Sequence, residues 1–280
     1  MRPLDPSLFS LRQPTSQTLP LVVAVPHAGR DYGKRFSSGT VIDLPQLRVT
    51  EDAFADELAS QAPTLGIPLL CALFPRIWLD VNRDAGEIDP LLTPDSAAEG
   101  SFLASNNVRA GLGVVPRLLT GGRTIHAAQV PMAEIKARLS MAWRPYHDCL
   151  AELTETTRRH FGTCLLIDCH SMPSGREIDP VDIALGDGFG ATADPSIVLE
   201  AERFFLELGL NVSRNQPYAG GYTTRHYGKP ENGIHALQIE IRRGLYMDER
   251  SFERQPGLVE LTTHLGDLFA RMGRVVHSLA

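Results

Sequence analysis

Short apolar runs of strand length alternate along this chain with stretches of helical period. Leu21-Val22-Val23-Ala24-Val25 is apolar throughout, which predicts a central strand covered on both faces. Residues 68–74, 77–81, 164–168 and 181–186 read as further buried strands, and Leu237-Gln238-Ile239-Glu240-Ile241 as one that alternates in character. Thr50, followed by Glu51 and Asp52, reads as the capped start of a helix carrying Phe54, Leu58 and Ala62. Ile135, Leu139, Ala142, Tyr146, Leu150 and Leu153 mark one face of a helix from Pro131 to about Phe161, which Pro145 should kink or interrupt. Asp194-Pro195 opens another helix, closed by Gly209, and a last helix runs from about Gln255 to the end. Strands alternating with helices predict an α/β fold, a mostly parallel sheet with helices on both faces. Residues 1–20, rich in Pro, Ser and Gln, read as an irregular arm, and residues 21–280 as one domain. Residues 84–122 lack periodicity and read as short elements or a lid.

The chain is 43% hydrophobic and 21% charged, enough to bury a core and too little charge for disorder. A formal net charge of −6 argues against a nucleic-acid partner, whose phosphates need a basic face. No run approaches the roughly 18 apolar residues that a membrane span needs. Cys71, Cys149, Cys164 and Cys169 form no C-x-x-C pair, and no secretory leader is visible, so a cytoplasmic location is expected.

The chemistry-bearing residues gather at strand ends. His27 follows the first apolar run and His170 closes Leu165-Leu166-Ile167-Asp168-Cys169, and in an open α/β sheet the carboxyl ends of strands are where ligands bind. Two imidazoles on one rim, with a carboxylate from Asp52 or Glu51, match the donor set of a catalytic zinc. Alone, each histidine reads as a hydrogen-bonded loop residue and each acid as a complement to a helix dipole. Asp168 lies two positions before His170 on the same strand face and can orient it. Arg76, Asn82 and Arg83 suit an oxyanion and an acidic substrate; the plainer reading is surface ion pairing with Asp80 and Asp84. Glu240, in an apolar strand, is either paired with an arginine or held as a general base. Arg225 and His226, in a glycine-rich loop, are candidates for substrate contact, and Arg123 and His126 weaker ones. His147, on the long helix, reads as a structural partner. The chain has no Gly-x-Ser-x-Gly elbow, which disfavours a serine hydrolase.

Pro26-His27-Ala28-Gly29, Thr50-Glu51-Asp52, Asp80-Val81-Asn82-Arg83, Asp168-Cys169-His170-Ser171-Met172 and Gln238-Ile239-Glu240-Ile241 occur in that order. The ordered set resembles the N-formylglutamate amidohydrolase family. The resemblance implies a three-layer sandwich with a mixed, mostly parallel central sheet, related to zinc carboxypeptidases and aspartoacylases (phosphorylase/hydrolase-like). It implies one Zn2+ held by His27, Asp52 and His170, with Glu51 the alternative carboxylate. Glu240 would be the general base, Arg76 the oxyanion partner, and Asn82 and Arg83 the substrate contacts, to which the reading of the glycine-rich loop adds Arg225 and His226. The implied reaction is hydrolysis of N-formyl-L-glutamate to formate and glutamate in histidine breakdown. A zinc deacylase or peptidase with another acylated substrate, or a metal-free binding protein, shares the pattern. The oligomeric state stays open.

Overall fold

The computed structural model describes residues 4–33, 39–93, 103–175 and 181–280. Its main sheet comprises β1 (Phe9–Arg12), β2 (Leu21–Val25), β3 (Leu69–Ala72), β4 (Cys164–Met172), β5 (Ile183–Gly186), β6 (Val212–Arg214) and β7 (Ile234–Arg242). The spatial order is β1-β3-β2-β4-β7-β5-β6. The central strands β3, β2, β4 and β7 run parallel; β1 joins β3 and β5 joins β7 in antiparallel fashion, so the sheet is mixed.

The two-residue strand period sorts side chains into two cores. Leu21, Val23, Val25, Leu165, Ile167, Leu237 and Ile239 pack with the helices Ala55–Leu58, Pro195–Glu207 and Gly257–His277. Val22, Ala24, Leu166 and Ala236 face the other way, towards Met132–Arg138 and Arg144–Phe161. Each fully buried Val, Leu or Ile contributes about 1.5–3 kcal/mol. On this second face the apolar alternation stops near the carboxyl rim. Where it would continue stand Asp168 and His170 on β4, and Gln238 and Glu240 on β7. The ladder pairs Asp168 with Gln238 and His170 with Glu240. The polar residues are thus delivered by the strand period itself.

Several expectations need correction. Phe9–Arg12, assigned to the irregular arm, is an edge strand, and Phe9 is buried. Residues 77–81 are no strand: they form a buried loop in which Ile77, Leu79 and Val81 fill space without ladder partners. Thr50 caps no helix; its hydroxyl donates to Leu47 O, closing the short helix Leu44–Arg48. The next helix begins at Ala55, after Phe54 turns the chain with a φ of 66°. Pro145 does interrupt the long helix, directly after a wide turn at Leu139–Trp143. Asp194 caps its helix by accepting from Ser196 N–H. Of the region 84–122, residues 94–102 lie outside the described residues; the rest holds one short helix, Asn106–Arg109. No described helix is long and apolar enough to cross a membrane.

His147 fixes the long helix to the loop before the site. Its Nε2 donates to Val81 O at 2.8 Å, and the Tyr227 hydroxyl lies 3.0 Å from Nδ1. Burial pushes its pKa down from 6.5 to about 3. The unfolded chain therefore binds more protons between those values, and stability falls as pH drops through that window. The contribution approaches about 1.4 kcal/mol per pH unit. Urea unfolding of His147→Gln should show a shallower loss between pH 6 and 4 than the wild-type chain. Parallel curves would mean that His147 is not buried neutral.

Candidate active site

The end of β2 places His27, and the Asp52 N–H donates to His27 O at 2.9 Å, pinning the acidic loop beside it. His170 arrives from β4. The rings of His27 and His170 are 4.8 Å apart. One donor atom from each of His27, Asp52 and His170 lies within 4.8 Å of the others, and all three residues are buried. Glu51 points elsewhere, onto Arg48. Between the two acids, Asp52 is the one that faces the histidines.

Hydrogen bonding orients both rings. His27 Nε2 is 2.7 Å from Asp80 Oδ1, and His170 Nε2 is 3.1 Å from Asp168 Oδ2. An ionised carboxylate only accepts, so each Nε2 carries a hydrogen and each Nδ1 keeps its lone pair. His170 Nδ1 then faces Asp52 Oδ2 at 2.9 Å, and His27 Nδ1, which has no hydrogen-bond partner among the described residues, faces the same oxygen at 3.5 Å. Three electron-rich atoms converging in a buried space require a proton or a cation between them. The donor set and the carboxylate behind each imidazole fit a divalent ion.

Charge reflects the same demand. Burial pulls the His170 pKa down, but Asp168, Asp52 and Glu240 outweigh it and hold His170 well above the usual imidazole range. Burial raises Asp52, yet its bond to His170 and the nearby His27 ring keep it well below the carboxylate range. Asp80 is depressed in the same way by Arg76 and His27, against its burial. Glu240 goes the other way: burial lifts it to about 7, assisted by Asp52 and opposed by His170 and Arg76.

His27, Asp52, His170 and Glu240 line a cleft of about 510 Å³, to which Asn107, Leu112, Pro116, Leu118, Leu119 and Thr120 also contribute. Arg76, Arg83, Arg225 and Arg243 also line it. Arg76 donates to Asp80 Oδ2 at 2.7 Å. Arg83 and Arg225 bond only to backbone carbonyls, and no described carboxylate lies within ion-pair reach of either. Two expectations change here. His226 stands outside the lining; its ring stacks on Tyr222 at 4.8 Å. Asn82, expected on a substrate carboxylate, is engaged by protein: its Oδ1 accepts from Thr223 N–H at 2.8 Å, and its Nδ2 lies 3.3 Å from Asp168 Oδ2 and 3.1 Å from His170 Nε2. His126 is turned onto Pro116 O.

The sequence model of the N-formylglutamate amidohydrolase family matches residues 19–247. The chain belongs to this family. It is 31% identical over 255 residues to the N-formylglutamate deformylase of Pseudomonas aeruginosa, covering 87% of this chain and 88% of that protein. The Pseudomonas putida N-formylglutamate deformylase is also 31% identical, over 237 residues, with 82% and 83% covered. The crystal structure of N-formylglutamate amidohydrolase from Ralstonia eutropha aligns with a TM-score of 0.88 at 33% identity, covering 97% of this chain and 99% of that one. An Agrobacterium tumefaciens protein, at 17% identity and a TM-score of 0.68, shares the fold.

Three site residues of this N-formylglutamate amidohydrolase family member escaped sequence reasoning. Asp80 was expected, at most, in a surface ion pair; it is 1% exposed and holds His27. Arg243 donates to Asp52 Oδ1 at 3.1 Å, to Val49 O at 2.9 Å and to Ser171 Oγ at 3.1 Å, turning the other Asp52 oxygen towards the histidines. Gln238 bonds to Glu240. The available signal was spacing: Gln238 precedes Glu240 by two positions on its strand face, as Asp168 precedes His170.

Proposed function

We propose that this chain is a zinc-dependent amide hydrolase that removes the formyl group of N-formyl-L-glutamate, giving formate and glutamate. The reading rests on one observation above all. The convergence of His27, Asp52 and His170 opens into a cleft that also presents Glu240 and two guanidinium groups without carboxylate partners among the described residues. The names of the Pseudomonas and Ralstonia relatives support the same substrate. Histidine breakdown in the cytoplasm is the setting that this reading implies.

His27 and His170, through Nδ1, and Asp52, through a carboxylate oxygen, would hold the ion. When bound, such an ion acidifies water and polarises a carbonyl. Glu240, poised near neutrality by burial, accepts a proton from the attacking water and returns it to the leaving nitrogen. Water adds to the formyl carbon, the C–N bond breaks, and formate and the amine of glutamate separate. Arg76, braced by Asp80, stabilises charge on the former carbonyl oxygen. Arg83 and Arg225 bind the carboxylates of the dianionic substrate.

The test is a substrate panel on protein loaded with one equivalent of zinc. Formyl, acetyl and succinyl derivatives of glutamate and aspartate are compared by kcat/KM. N-formylglutamate should lead by about tenfold or more, in keeping with pocket discrimination between close analogues. Faster turnover of an acetyl or succinyl substrate would reassign the enzyme to another acyl group. In the same assay Arg83→Ala should raise KM about 10- to 100-fold with little change in kcat, the loss of a charge-assisted hydrogen bond. An unchanged KM would put the substrate carboxylate elsewhere.

A further inference from the structure

We propose that Gln238 is a positioning residue for Glu240, and that the backbone turn at residues 221–223 sets the geometry of both the base and the candidate metal ligand His170. This deepens the hydrolase reading above and rests on it.

Gln238 is 4% exposed, flanked along the strand by Leu237 and Ile239, which pack into the core on the opposite face. A buried primary amide is unfavourable unless its oxygen and nitrogen both find partners. Gly221 N–H points at Gln238 Oε1 at 2.7 Å. A backbone N–H can only donate, so the amide oxygen must face Gly221 and the amide nitrogen must face Glu240. There Nε2 donates to Glu240 Oε1 at 2.7 Å. One carboxylate oxygen is pinned. No described residue hydrogen-bonds the other, Oε2, which remains as the basic atom in the cleft.

The same turn repeats the device on its other side. Thr223 N–H donates to Asn82 Oδ1 at 2.8 Å, which forces the Asn82 nitrogen towards Asp168 and His170. Gly221 itself is pressed against that amide: a Cβ there would sit 2.3 Å from Asn82 Nδ2. Two backbone donors, two residues apart, thus fix the orientation of two side-chain amides. One amide leads to the base, and the other donates to Asp168, the carboxylate that orients the histidine. The segment also carries Tyr218 and Arg225 into the cleft, so substrate contacts and both reacting groups share one brace.

Releasing Glu240 from this brace frees its χ3 rotation and moves Oε2 away from the attacking water, and misplacement on the ångström scale lowers rates by about a hundredfold. The test uses Gln238→Met, close in volume and without hydrogen bonds, in the wild-type chain and in Glu240→Gln. Zinc content and thermal midpoint are recorded beside kcat and KM. Gln238→Met should lower kcat about 10- to 100-fold, with KM and zinc content unchanged. In the Glu240→Gln background the same change should be less than about twofold, because no carboxylate remains to be placed. Equal losses in both backgrounds, or wild-type kcat in Gln238→Met, overturn the proposal. Should Gln238→Met not fold, Gln238→Leu, which likewise cannot donate to Glu240, is read by the same criteria. Wild-type turnover in Glu240→Gln would remove the base from the proposed function, and this inference with it. A slow Glu240→Gln beside a fast Gln238→Met would overturn this inference alone.

Discussion

Glu240→Gln should reduce kcat by about a thousandfold while zinc stoichiometry and KM stay near wild type. General acid–base assistance supplies about 10²- to 10⁴-fold, and Glu240 is the carboxylate whose burial lifts it to about 7. Glutamine keeps the volume and can still hydrogen-bond Gln238, so the sheet should be undisturbed. It cannot take a proton. Asp52 and Asp80 cannot substitute, because cationic or imidazole partners hold both well below the usual carboxylate range. Steady-state kinetics with elemental analysis of the same sample decide the matter. Turnover within about threefold of wild type, against the 10²-fold floor for such a base, would mean that another group moves the proton.

The second large effect concerns His170→Ala. This change should abolish stoichiometric zinc retention and bring turnover to background. Loss of an outer partner lowers metal affinity about 10- to 100-fold, and Asp168→Asn is expected within that range. Removal of a donor atom should exceed it. The substitution also leaves Asp168, which is fully buried, without the imidazole hydrogen it accepts. The thermal midpoint should therefore fall as well, since an uncompensated buried charge is strongly destabilising. Competition with a chromophoric chelator measures the affinity. Retention of one tightly bound zinc would remove His170 from the coordination sphere.

How far the site could be read in the sequence depended on what strand periodicity reports. It reports which face a side chain occupies, so His170, Asp168 and Glu240 stood out as polar groups in apolar strands. His27 stood out at a strand end. Periodicity says nothing about what lies across a gap in sequence. Asp80 is 53 residues from His27, and Arg243 is 191 from Asp52. Neither pairing leaves a local trace, and an aspartate in a polar stretch looks like a surface acid. Ile77–Val81 misled for a related reason: an apolar run records burial, and a loop tucked beneath the rim is as buried as a strand. Phe9–Arg12 was hidden because the Pro, Ser and Gln around it dominate the composition of the arm. The mixed α/β sheet was legible because its core strands are covered on both faces and carry continuous apolar runs.

Arg243 also bears on assembly. The would-be ligands stand at positions 27, 52 and 170, and the guanidinium that aims Asp52 comes after the last strand of the main sheet. No contiguous stretch of polypeptide contains a working trap for the ion. During synthesis the trap closes only once most of the chain has emerged, so such pairings carry the slow kinetics of high contact order. On the proposed reading, metal capture follows completion of the architecture, and a chelator should loosen the protein globally rather than at one corner.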